Sequence, residues 1–206
     1  MEDVLYKTVS GPAGAEIEEK SSRFIAMVAR VESREAFRAM LAGIEAEQAS
    51  ATHHCWAFRI GFSPVEELFS DDGEPSGSAG LPILRVLAGK GLVNIACVVT
   101  RYFGGTKLGI GGLIRAYSQA TSAALREAEI IEVRERLRYR AEMPYRLYSE
   151  FEALLKRRGG GVIEAAFGAE VAIVFDFPRS REFEILSILA DISAGSVIAK
   201  KIEINI

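Results

Sequence analysis

Leu92–Ala128 reads LVNIACVVTRYFGGTKLGIGGLIRAYSQATSAALREA, and this stretch decides the fold. Leu92 to Tyr102 is nearly all apolar, the pattern of a strand buried on both faces. Leu113 to Ala128 has helical spacing and strong helix formers. Between them lie five glycines: Gly104, Gly105, Gly109, Gly111 and Gly112. A buried strand, a glycine-rich loop and a helix make a mixed α/β unit, with the loop at a strand end where ligand sites gather.

The rest of the N-terminal half extends this unit. Alternating apolar residues predict strands at Val4 to Val9, Ala15 to Glu19 and Arg23 to Val31. Ser33 offers an N-cap for a helix to about Gln48, with Phe37, Met40, Leu41 and Ile44 on one face. His54 to Ile60 predicts another strand. Gly61 to Gly80 is turn-rich, and Pro82 suits the first turn of a helix to about Lys90. The order is βββαβαβα.

Beyond about Val133 the rhythm changes. Strands are expected at Leu137 to Met143, Gly161 to Ala166, Val171 to Phe177 and Val197 to Ile206. Helices are expected at Tyr145 to Arg158 and, capped by Ser180, to about Ser193. That order is the split βαβ, ferredoxin-like pattern. The expectation is therefore an α+β protein of two domains, residues 1–135 and 136–206.

The chain has 206 residues, 49 % apolar and 26 % charged, with a net charge of −3. These values suit a globular protein and argue against a wholly basic nucleic-acid coat. The N-terminus lacks the basic-then-apolar pattern of a secretory signal, and the apolar runs are too short for a membrane span. Cys55 and Cys97 lie in strand-like segments and are expected to be buried free thiols, so a cytoplasmic location is expected.

Three segments hold the candidate chemistry. In the first, the glycine-rich loop Gly104 to Gly112 offers backbone N–H groups and the start of a helix to an anion. Arg101, Lys107 and Arg115 add charge, and no Asp or Glu occurs between Pro75 and Leu125. Tyr102 and Phe103 are candidates to stack on bases, although neighbours on a strand face opposite ways. The loop matches neither common phosphate motif, so a specific nucleotide is not implied. The plain alternative is that the glycines only shape turns.

The second segment is the loop containing Asp71, Asp72, Glu74, Ser76 and Ser78. Its carboxylates suit a hard cation such as Mg²⁺, and its Ser/Gly half suits phosphate. The alternative is a solvated turn at Asp72-Gly73. The third is Thr52-His53-His54-Cys55-Trp56-Ala57. His53 and His54 would point to opposite faces of a strand, so both cannot ligate one metal; either is a candidate general acid or base. No nucleophile elbow is present.

Together, Ser22-Arg23-Phe24, the Thr52–Ala57 segment, Asp72-Gly73-Glu74-Pro75 through Gly80, and Val99 through Leu113 resemble the YigZ/IMPACT family in the same order. The last segment is the most specific. The resemblance implies an N-terminal fold like the second domain of a small-subunit ribosomal protein. It also implies a C-terminal domain like one in translocating elongation factors. Eukaryotic members regulate translation in a role that needs partners of its own and is not carried over to this chain. The anion-binding loop, with a fold akin to that of ribosome-associated proteins, makes RNA or the ribosome the expected partner of a non-catalytic protein affecting translation. Two alternatives remain open from the residues: a metal-assisted enzyme on a phosphorylated small molecule or nucleotide, and a regulator that binds a protein partner.

Overall fold

The computed structural model describes residues 4–202, and the chain is mixed α and β with antiparallel sheets. It divides into two compact units. One is Tyr6–Val133; the other comprises the described residues from Arg134 onward with Val4 and Leu5.

The first unit contains most of β1 (Val4–Val9), then β2 (Ala13–Glu19), β3 (Ser22–Arg30), α1 (Arg34–Glu47), β4 (His53–Ile60), β5 (Glu66–Ser70), α2 (Gly80–Gly89), β6 (Ile95–Tyr102), α3 (Gly109–Glu127) and all but the last residue of β7 (Ile130–Arg134). Five strands form one sheet in the order β2-β3-β6-β4-β5, and β1 pairs with β7. Central β6 is buried along almost its whole length, as its continuous apolar run requires. Phe24, Val28, Cys55, Cys97 and Val99 face α2 and α3 in one core layer. Phe37 of α1 covers Phe58, Ala96 and Val98 on the other side of the sheet. Each large apolar side chain so buried contributes about 1.5–3 kcal/mol. Ser33 caps α1 as expected, its Oγ accepting from Ala36 N.

Several boundaries differ from the sequence reading. The turn-rich stretch after Gly61 holds an edge strand, β5, paired with β4 from Ile60↔Glu66 to Trp56↔Ser70. Its two adjacent glutamates hid it, because acidic residues are depleted in strands but tolerated at a solvated edge. β6 begins at Ile95, since Asn94 has φ +50° and interrupts the extended chain. α3 begins at Gly109, inside the loop read as irregular. Glycine's poor helix propensity concealed that first turn.

The second unit contains β8 (Arg136–Met143), α4 (Tyr145–Arg157), β9 (Gly161–Phe167), β10 (Val171–Pro178), α5 (Glu182–Ser193) and β11 (Lys200–Ile202). Its sheet order is β11-β8-β10-β9, with every neighbouring pair antiparallel. Leu137, Tyr139, Ala141 and Met143 of β8 alternate inward against Phe151, Leu155 and Leu189 of the helices. Ser180 does not cap α5: it lies in a 3-10 turn, Arg179–Arg181, and the cap position is Arg181. The expected strand Val197 to Ile206 is narrower at its start, and residues 203–206 lie outside the described residues.

Both cysteines are free and buried, as expected. Burial pushes each thiol up to about 12. Both should therefore resist Ellman's reagent in the native protein and react once guanidinium unfolds it. The unfolded thiols ionise near 8.5–9, so the folded state should lose stability as pH rises from about 9 towards 12. Rapid native labelling at pH 8 would contradict this burial.

Candidate functional site

The carboxylates of the loop before α2 are engaged by the protein itself. Asp71 Oδ1 accepts from Ala79 N at 2.9 Å and Gly80 N at 2.8 Å, while Oδ2 accepts from Gly77 N at 2.7 Å. The side chain thus satisfies the orphan N–H groups at the start of α2, the work of an N-terminal cap performed from a distance. Asp72 Oδ2 accepts from His54 N, and the Asp72 carbonyl meets His53 Nδ1, both at 2.6 Å. Ser78 is buried and donates to the Pro75 carbonyl, whereas Ser76 is exposed. Asp71, Asp72 and Glu74 turn to three different sets of partners. Among the described residues, no group of three His, Cys, Asp or Glu is arranged to hold a metal.

Glu74 and Arg101 form a buried ion pair. Arg101 Nη1 donates to Glu74 Oε1 at 2.6 Å, and the two side chains are only 6 % and 4 % exposed. Tyr117 of α3 donates its hydroxyl to the same oxygen at 2.7 Å. Burial, above all, pushes the Tyr117 hydroxyl far above its usual range, so it stays protonated and donates. Arg101 Nη2 makes a longer contact, 3.4 Å, with Ser22 Oγ, which also accepts from Gly104 N at 3.2 Å. The network joins the loop before α2, strand β6, helix α3 and the entrance of the glycine-rich loop.

Arg101 was expected to contact an anion at the surface, and its burial and pairing place it beneath that loop instead. Its guanidinium carbon lies 5.4 Å from the ring centres of both Phe24 and Phe103. Strand alternation separates the two aromatics. Tyr102 turns away, donates to Gln48 Oε1 at 2.7 Å, and is half-buried. Phe103 is 47 % exposed and is the more open of the two rings.

The glycine-rich loop itself is open. Gly104, Gly105, Gly109 and Gly111 are exposed, as are Lys107 and Arg115, and neither cation makes an ion pair among the described residues. Gly104 is demanded by close approach: a Cβ there would lie 2.0 Å from the Ser21 carbonyl oxygen. Gly105 has φ +85°, where a side chain is strained. Gly111 is different, with nothing within 4 Å of a Cβ and no positive φ. Packing therefore gives no reason for glycine at that position.

The cap position of α3 is Leu108, which has no side chain able to accept from the first N–H groups, and the first turn contains no acidic residue. Gly112 completes this turn, half-buried against Leu108. An uncapped helix start carries a partial positive charge and favours anions.

Sequence reasoning missed Ser22 and Tyr117 as members of this network. Ser22 lies in a quoted motif, but its tie to Gly104 spans 82 residues. Tyr117 reads only as one more inward-facing residue of an amphipathic helix.

Comparison with known proteins covers these segments. Residues 20–125 match the Impact N-terminal domain. A protein of Escherichia coli K12 described as IMPACT family member YigZ is 38 % identical over 180 residues, covering 86 % of this chain and 88 % of that one. The chain belongs to the IMPACT family. A Haemophilus influenzae family member is 35 % identical over 92 % of this chain and 93 % of its own length. YvyE of Bacillus subtilis, also an IMPACT family member, is 42 % identical over 62 % of this chain and 58 % of its own. A solved crystal structure of a hypothetical protein has a TM-score of 0.68 at 36 % identity, covering 98 % of both chains. No helix among the described residues is long and apolar enough to cross a membrane.

Proposed function

We propose that this IMPACT family member is a non-catalytic RNA-binding protein that regulates translation, gripping phosphate with the loop Gly104–Gly112. One observation carries the reading: an exposed, uncapped helix start flanked by Lys107 and Arg115, cations with no ion pair among the described residues, in a segment with no acid from Pro75 to Leu125. Phosphate needs backbone donors and cations, and repulsion from carboxylates would oppose it. Exposed Phe103 supplies a face for one unstacked base. The engagement of Asp71, Asp72 and Glu74 within the protein favours binding over metal-assisted turnover.

A second reading rests on Ile110 and Ile114, which are 60 % and 37 % exposed beside the loop. They suit a protein partner on the same face.

The Gly111→Ala variant separates a ligand-contacting loop from a merely structural one. Alanine favours the helix by up to about 1 kcal/mol, so Tm should hold or rise. Its methyl stands where phosphate approaches the backbone, and loss of one charge-assisted hydrogen bond should weaken binding of a labelled single-stranded RNA roughly tenfold. Unchanged RNA affinity in a stable variant would sink the close-approach claim and favour the protein-partner reading.

A further inference from the structure

The turn between β2 and β3 is two residues long, Lys20 and Ser21, because Glu19 pairs with Ser22 across it. Both have positive φ, +47° and +64°. A two-residue turn of this kind is ordinarily made by Asn-Gly, whose residues enter that region at little cost. Lysine at its tip has no conformational justification.

This turn stands against the glycine-rich loop. Gly104 lies so close to Ser21 that a Cβ on it would touch the Ser21 carbonyl, and Gly104 N donates to Ser22 Oγ. Lys20 is exposed and makes no ion pair among the described residues. The other charges of the hairpin are Glu16, Glu18, Glu19, Arg23 and Arg30; Arg23 is held by Glu16 at 2.8 Å, and Arg30 pairs with Glu32. Beneath the junction, Arg101 is 5 % exposed, and its Nε has no partner. With Arg101 committed below the surface, Lys20 is an exposed cation on the turn that Gly104 approaches.

We infer that Lys20 is a phosphate contact of the glycine-rich loop, taking the place that the sequence suggested for Arg101. The inference rests on the RNA reading above. The hairpin tip and the loop together make a composite surface for a single-stranded phosphate backbone. A phosphate contact would give the charge of Lys20 a use at a turn position whose backbone suits asparagine better.

The test is binding of a fluorescein-labelled oligouridylate to the full chain and to the Lys20→Asn, Lys20→Gln and Lys20→Arg variants. Asparagine fits positive φ, so Lys20→Asn should melt at or above the wild-type temperature. Removing one contact on a single strand should flatten the slope of log affinity against log salt by about 0.7, which is roughly fivefold in affinity at 0.1 M salt. Lys20→Gln should lose as much, and Lys20→Arg should bind like wild type. If Lys20→Asn melts low, Lys20→Gln decides, since its backbone demands match those of lysine. Wild-type binding by both neutral variants, alongside weakened binding when Lys107 and Arg115 are reversed, overturns the role of Lys20 alone. No oligouridylate binding by the wild-type protein overturns this inference and the RNA reading together.

Discussion

Arg101→Met is expected to destabilise the first unit by about 3–5 kcal/mol, because it leaves the Glu74 carboxylate buried without its cation. For a unit of this size that is a fall in Tm of roughly 10–20 °C. Glu74→Met should cost about as much by stranding the guanidinium. Combining both with Tyr117→Phe removes every member that would be left unpaired. An apolar replacement of similar volume often restores stability, so the triple variant should be more stable than either single one. Thermal melts of the three proteins give the answer. Costs that simply add would mean that the residues do not act as one buried network. The triple variant has a second use: it retains the charges of Lys20, Lys107 and Arg115 but loses the tie from Arg101 to Ser22. Its RNA affinity therefore reports what fixing the loop entrance contributes.

The second large effect is on binding. Lys107→Glu with Arg115→Glu should weaken RNA binding roughly 100-fold at 0.1 M salt, from two lost contacts and added repulsion. Stability should hold, since both side chains are exposed and changes at such sites usually stay within about 0.5 kcal/mol. Glutamate near the start of α3 also complements the helix dipole. A variant as stable as wild type but unable to bind RNA separates function from folding.

The order of elements was legible wherever hydrophobic period and punctuation agreed. β6 announces itself through the unbroken run Ile95–Val99, and α1 through Ser33 and its apolar stripe. What failed were elements whose local chemistry opposes their state. β5 contains Glu66 and Glu67 and is a strand because β4 offers it a ladder. α3 starts on Gly109, against propensity, at a residue whose φ of +70° favours glycine. The glycine-rich loop and its lack of acids were visible as composition. The fate of Arg101 was not. Whether an arginine at a strand end reaches solvent or a buried glutamate depends on Glu74, 27 residues earlier, and on Tyr117, 16 residues later. Sequence spacing holds no record of that convergence. The carboxylates show the same limit: Asp71 and Asp72 read as cation ligands until their acceptors are assigned to backbone N–H groups.

The most direct test of the proposed phosphate grip is a salt titration, with RNA affinity measured between 50 and 200 mM KCl for wild type and for the Lys107→Glu/Arg115→Glu variant. The account predicts that log affinity of the wild-type protein falls linearly with log salt. In the variant that slope should be flatter by about 1.4, for two contacts at about 0.7 each. Equal slopes in the two proteins, or wild-type binding that ignores salt, would contradict it.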